Sequence, residues 1–131
     1  FISFDSRDIQ EVNLLRGQAK NEDNDLEFND YSLKEPFDSE RAEYIKSGIR
    51  ERIRQASVSV IYVSDVTHES KWVDWEARES IAQGKGVICV HKGDFPPVNL
   101  PAFVKEFGVK VIPWKHQELK AAIEQAAQKR N

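Results

Sequence analysis

Ser57-Val58-Ser59-Val60-Ile61-Tyr62-Val63 is a nearly continuous apolar run of strand length, suited to the centre of a sheet covered on both faces. Downstream of it, Val66 to Glu69 reads as a connecting loop. A helix is predicted from about Ser70 to Gln83, stopped at Gly84, where glycine accepts the left-handed C-terminal conformation. Val87-Ile88-Cys89-Val90 follows as a second buried strand, and Pro96, Pro97 and Pro101 hold the next segment, Gly93 to Pro101, irregular. Phe103, Val104 and Phe107 suggest a short helix, Val109 to Ile112 a last strand, and His116 to Lys129 a terminal helix turning Leu119, Ile123 and Ala126 inward.

Upstream, Ser39 and Glu40 open a helix carrying Ile45, Ile49 and Ile53 at four-residue spacing, a stripe that should pack on the sheet. The loop before it, Asn29 to Asp38, contains Pro36, and Leu26-Glu27-Phe28 is a weak strand. Phe1-Ile2-Ser3-Phe4 begins the chain as a strand. Asp5 to Asp8 then supply turn and capping chemistry for a helix through Val12, Leu14, Leu15 and Ala19. Alternation of short strands with helices predicts an α/β fold: a flavodoxin-like, three-layer arrangement of five parallel strands in order 2-1-3-4-5 with helices on both faces. Ligands of such sheets sit beyond the C-terminal strand ends.

Composition agrees with one domain over residues 1–131: the chain is 40% hydrophobic and 31% charged, enough to bury a sizeable core without disulfides or a structural metal. Nineteen basic against twenty-two acidic residues give a formal charge of −3, so no nucleic-acid partner is expected. The single cysteine cannot form an internal disulfide, and no apolar run is long enough to cross a bilayer, which reads as a cytoplasmic chain with no membrane partner. Because Phe1 already lies in a strand-like run without an initiator methionine, a short N-terminal piece is expected to precede it.

The residues after the strands are polar and of mixed charge: Asp5, Ser6 and Arg7; Asp30 and Ser32; Asp65, Thr67 and His68; His91 and Lys92. Turns alone would call for such residues. Ser70-Lys71-Trp72-Val73-Asp74-Trp75-Glu76 is more specific, since it puts two indoles in the first turns of a helix beginning beside the predicted cleft. On the helical wheel Val73, Ala77 and Ile81 form the core stripe, and Glu76 falls at its margin between Trp72 and Ser80, hence semi-buried. Its neighbours three and four positions away, Trp72, Val73, Glu79 and Ser80, include no cation. A carboxylate against an indole near a cleft is a catalytic candidate, because desolvation raises its basicity. The competing reading is a half-exposed glutamate paired with a distant cation.

A single carboxylate restricts the chemistry. Ordinary glycosides need a general acid as well, and their enzymes use two carboxyl groups. The nicotinamide of NAD+ departs neutral from a cationic state, so one negative charge near the oxocarbenium-like centre suffices. The three histidines have neither cysteine companions nor close spacing, and no metal is proposed. Gly84-Lys85-Gly86 matches neither a dinucleotide fingerprint nor a phosphate loop, and Cys89 reads as a packed small hydrophobe.

The opening Phe1-Ile2-Ser3-Phe4, the loop Asp30-Tyr31-Ser32-Leu33, the strand Val60-Ile61-Tyr62-Val63-Ser64, and above all Thr67-His68-Glu69-Ser70-Lys71-Trp72-Val73-Asp74-Trp75-Glu76 resemble the TIR-like proteins of the ThsB kind, from bacterial Thoeris anti-phage defence. The resemblance runs almost end to end. It implies a flavodoxin-like TIR domain that consumes NAD+ as substrate, with no resident cofactor, releases nicotinamide, and makes an ADP-ribose-derived, often cyclic, signal. A phage-derived trigger, a homo-oligomer and a separate effector reached through that nucleotide are the implied partners. Carried over, the catalytic glutamate falls on Glu76. The substrate-binding neighbourhood falls on Phe4, Asp5 and Ser6, on Asp30, Ser32 and Leu33, and on His68 with Trp72. His68 would hydrogen-bond ribose or phosphate, or simply fix its turn; Phe4 would stack on a base or fill the sheet. The Arg-Asp-x-x-Pro-Gly signature of receptor TIR domains is absent, and so is their terminal Phe-Trp box.

Two other readings remain at this stage. One is a TIR-like assembly module without catalysis. The other is a receiver domain with Asp65 as phosphoacceptor, Asp5 and Asp8 as metal-binding acids and Lys115 after the last strand, which leaves the Trp72–Glu76 segment unexplained.

Overall fold

The apolar run at the centre of the sequence forms a strand with every residue buried, Val58–Tyr62, and the sheet is built around it. The computed structural model describes residues 1–21 and 37–129. In chain order the elements are β1 (Ile2–Ser3), α1 (Ile9–Asn21), α2 (Ala42–Gln55), β2 (Val58–Tyr62), α3 (Lys71–Ala82), β3 (Gly86–His91), α4 (Ala102–Phe107), β4 (Lys110–Pro113) and α5 (His116–Lys129), with 3-10 turns at Ser6–Asp8 and Thr67–Glu69. All neighbouring strands are parallel: Ile2 lies opposite Val60, Val58 opposite Gly86, and Ile88 opposite Lys110.

The two-residue period of the strands sorts the core into layers. Ile2, Phe4, Val58, Val60, Tyr62, Ile88, Val90 and Ile112 share one face with Val12 of α1 and Leu119 and Ala122 of α5. Ile61, Val63 and Cys89 take the other face with Val73 and Ala77 of α3 and Phe103 and Val104 of α4. Phe1 continues that side against Ile49 and Ile53 of α2, so the stripe read from the isoleucine spacing is buried as expected. Burial pushes the Cys89 thiol up to about 12, as befits a packed hydrophobe.

One expectation is corrected. Among the described residues the sheet has four strands in order β1-β2-β3-β4, not five in order 2-1-3-4-5. The segment expected to be the extra strand, Leu26–Phe28, lies outside the described residues. Leu14 is 62% exposed, because α1 turns Val12 and Leu15 inward and Leu14 falls some 100° from Leu15 and 200° from Val12. Phe107 closes α4 half-exposed, with the Arg78 guanidinium 5.5 Å from its ring centre.

Gly84 does adopt a positive φ, 74°, after α3. Gly86 matters for a different reason: a Cβ there would run into the Ala126 backbone carbonyl of α5. Gly86→Ala is therefore expected to push α5 off β3 and to destabilise the fold by about 1–3 kcal/mol, read as a lower denaturation midpoint. An unchanged midpoint would show that α5 shifts freely. Among the described residues no helix is long and apolar enough to cross a membrane.

Candidate functional site

The helix carrying Glu76 is fixed at its start by local hydrogen bonds. Thr67 Oγ1 accepts the Ser64 N–H at 2.8 Å, tying the 3-10 turn to the end of β2, and Ser70 caps α3 by accepting the Val73 N–H at 3.2 Å. Glu76 follows on the second turn. Its neighbours Val73 and Ala77 are wholly buried, and Glu76 itself is 3% exposed. This corrects the marginal, semi-buried position read from the wheel. The sheet faces α3 with two serines, and they make room for polar atoms on the helix's inner face. Ser3 Oγ donates to Glu76 Oε1 at 2.6 Å; Ser80 Oγ donates to the Glu76 carbonyl at 2.8 Å and lies 2.7 Å from Ser59 Oγ.

Among the described residues no ion pair reaches Glu76, and Ser3 is the one hydrogen-bond donor to its carboxyl. Burial pushes this carboxyl up to about 8, against the opposing pull of the Ser3 hydroxyl. That displacement favours the protonated form at neutral pH.

Among the described residues the indoles pack between α3 and α2. Trp72 and Trp75 meet edge to face at 6.2 Å, Trp72 meets Phe37 at 4.9 Å, and both indoles pack on the cluster of Phe1, Ile49 and Ile53. Lys46 and Arg50 of α2 lie over the rings of Phe37 and Trp75 at 4.3 and 5.3 Å. The tryptophans thus fasten α3 to α2 and hold the glutamate's helix in place.

At the C-terminal end of the sheet the chain turns sharply after β1. Asp5 caps the first 3-10 turn, accepting the Arg7 N–H at 2.8 Å and the Arg7 side chain at 2.9 Å (Nε to Oδ1) and 3.1 Å (Nη2 to Oδ2). The guanidinium holds the Asp5 carboxyl below its ordinary value and also reaches Glu69 Oε1 and the Val66 carbonyl, each at 3.4 Å. It therefore laces the β1 corner to the turn containing His68. Ser6 and His68 are exposed at this end, and Phe4 is buried in the core on the opposite sheet face from Ser3. Asp8, pushed up by burial, accepts from Ser64 Oγ at 2.7 Å. One cleft of about 300 Å³ opens here between Ser64, Asp65, His91, Lys92 and Phe95; another, of about 330 Å³, lies beside His68, Lys71 and Trp75. Glu76 lines neither. Asp30, Ser32 and Leu33 lie outside the described residues, among which no cluster of metal-ligating side chains is found.

A family model described as Thoeris protein ThsB, TIR-like domain, matches residues 1–94. The match runs from β1 through β3 and includes both Ser3 and Glu76. No curated protein matches the chain.

Proposed function

The chain belongs to the ThsB TIR-like family of Thoeris anti-phage defence, and on that premise we propose that it cleaves the nicotinamide–ribose bond of NAD+ and makes an ADP-ribose-derived, cyclic signal. The observation that carries this reading is the Glu76 carboxyl: buried, given one neutral hydrogen bond by Ser3, and paired with no cation among the described residues. A positively charged nicotinamide riboside supplies the missing countercharge. Its approach favours the carboxylate, and the carboxylate in turn favours positive charge on the ribose as the bond breaks.

In the step itself the C1′–N bond breaks, and its electron pair leaves with nicotinamide, which becomes neutral. The oxocarbenium-like carbon is captured by a hydroxyl of the same molecule or by water, and that oxygen loses its proton. Position decides between a cyclic and a linear product. Asp5, Ser6, His68 and Trp72 at the sheet's C-terminal end, with Asp30, Ser32 and Leu33, complete the proposed binding neighbourhood; Phe4 supports it from the core.

Two measurements test the reading together: nicotinamide release from NAD+, with and without lysate of phage-infected cells, and mass spectrometry of the nucleotide product. Release that depends on Glu76 supports catalysis. Equal release from the wild type and Glu76→Gln would leave an assembly module as the better account.

A further inference from the structure

We propose that Ser3, on the first strand, is a positioning residue for Glu76: its hydroxyl fixes which way the carboxyl points and favours its charged form. The proposal rests on the catalytic reading of Glu76 for its functional consequence, but its physical content can be tested without any turnover. Ser3 Oγ lies 2.6 Å from Glu76 Oε1, and Ser3 is 1% exposed. The residue sits on a strand paired in register with β2, Ser3 opposite Ile61. Its Cα is therefore held by the sheet, whereas Glu76 has three rotatable side-chain bonds.

One carboxyl oxygen is engaged from the sheet, and no described residue donates to Oε2. Ser80 and Ser59 do not share this role. Ser80 bonds the Glu76 backbone carbonyl, holding the helix rather than the carboxyl. Ser3 also lies two residues before Asp5, so one short segment connects the carboxyl's only described donor with the Arg7-laced corner at the sheet end.

The surroundings leave few groups to confuse the titration. On the same sheet face β1 presents Ser3, β2 presents Ser59 and Ile61, and β3 presents Cys89, whose thiol is pushed up to about 12. His91, at the end of β3, has Nδ1 3.1 Å from the Lys92 carbonyl. From α2, Lys46 and Arg50 are engaged with Glu43 and Glu79; from α4, Glu106 pairs with Arg78, which also holds Asp74 of α3. A hydroxyl that donates to a carboxylate stabilises the charged state, so its removal must raise the proton affinity of Glu76.

The test compares the wild type, Ser3→Ala and Ser3→Thr, each with and without Glu76→Gln. The difference in unfolding stability within each pair, followed from pH 4 to 10, reports the Glu76 ionisation midpoint. Ser3→Ala should raise that midpoint by about one pH unit, a tenfold change in proton affinity. Ser3→Thr, which keeps a hydroxyl, should restore it. Nicotinamide release should show the same alkaline displacement in Ser3→Ala, with kcat/KM for NAD+ falling about tenfold at pH 7. An unmoved midpoint in a folded Ser3→Ala overturns the proposal whatever the activity. A displaced midpoint with no Glu76-dependent release upholds the tuning of Glu76 by Ser3 and overturns the NAD+ reading instead.

Discussion

Glu76→Gln is expected to abolish nicotinamide release and, at the same time, to make the protein more stable. The loss of activity follows from removing the carboxyl that the proposed mechanism sets against the ribosyl centre; the comparable loss of a preorganised electrostatic group costs about 10²–10³-fold in rate. The gain in stability follows from the cost of burying a carboxyl. In the folded chain its pKa is pushed up to about 8 by desolvation, against an ordinary value of 4.5. Between those values the unfolded chain has released the proton and the folded chain still holds it, so wild-type stability falls as pH rises from about 4.5 and levels off above about 8. Each unit of displacement is worth about 1.4 kcal/mol, so the effect amounts to a few kcal/mol at alkaline pH.

Glutamine keeps an oxygen to accept from Ser3 and does not titrate. Its advantage should therefore be absent near pH 4 and largest above pH 8, as measured by denaturant unfolding at the two pH values. An equally stable or less stable variant at pH 9 would show that the carboxyl is better solvated than its burial indicates.

The parts of the site legible in the sequence were those set by period. Isoleucines four apart on α2 and the apolar runs of β2 and β3 leave little choice of face, and both faces are buried as their spacing requires. Glu76 was legible as a candidate because its helical neighbours include no cation. Its depth was not, since the wheel describes one helix and cannot show what the sheet offers opposite. The signal for Ser3 was nonetheless in place. In Phe1-Ile2-Ser3-Phe4 the two-residue period puts Phe1 and Ser3 on one face, and a serine in an otherwise apolar strand needs a polar partner. Glu76 on α3 supplies that partner, as Ser80 one turn on does for Ser59 of β2, but the pairing of residues far apart in sequence becomes visible only in the folded chain.

The same carboxyl makes the pH dependence of turnover a sharp expectation. If catalysis requires Glu76 ionised, kcat/KM for NAD+ should climb with pH through a midpoint near 8, because that ratio reports the free enzyme, where burial holds the proton on. From pH 6 to pH 8 the fraction ionised grows on the order of 50-fold, so the rise should be of that size. The profile of kcat should differ. In the substrate complex the cationic nicotinamide riboside lies against the carboxyl, and an opposite charge at close range favours ionisation, displacing the kcat midpoint to lower pH. The gap between the two midpoints measures how much more tightly the ionised enzyme holds the substrate than the protonated one. Activity and stability should thus run in opposite directions between pH 6 and 8, the first rising as the second falls, with both trends removed by Glu76→Gln. A kcat/KM profile flat over this range, or one turning near pH 4.5, would mean that the acting carboxylate is solvated before the substrate arrives and that the buried Glu76 is not the group that meets the ribose.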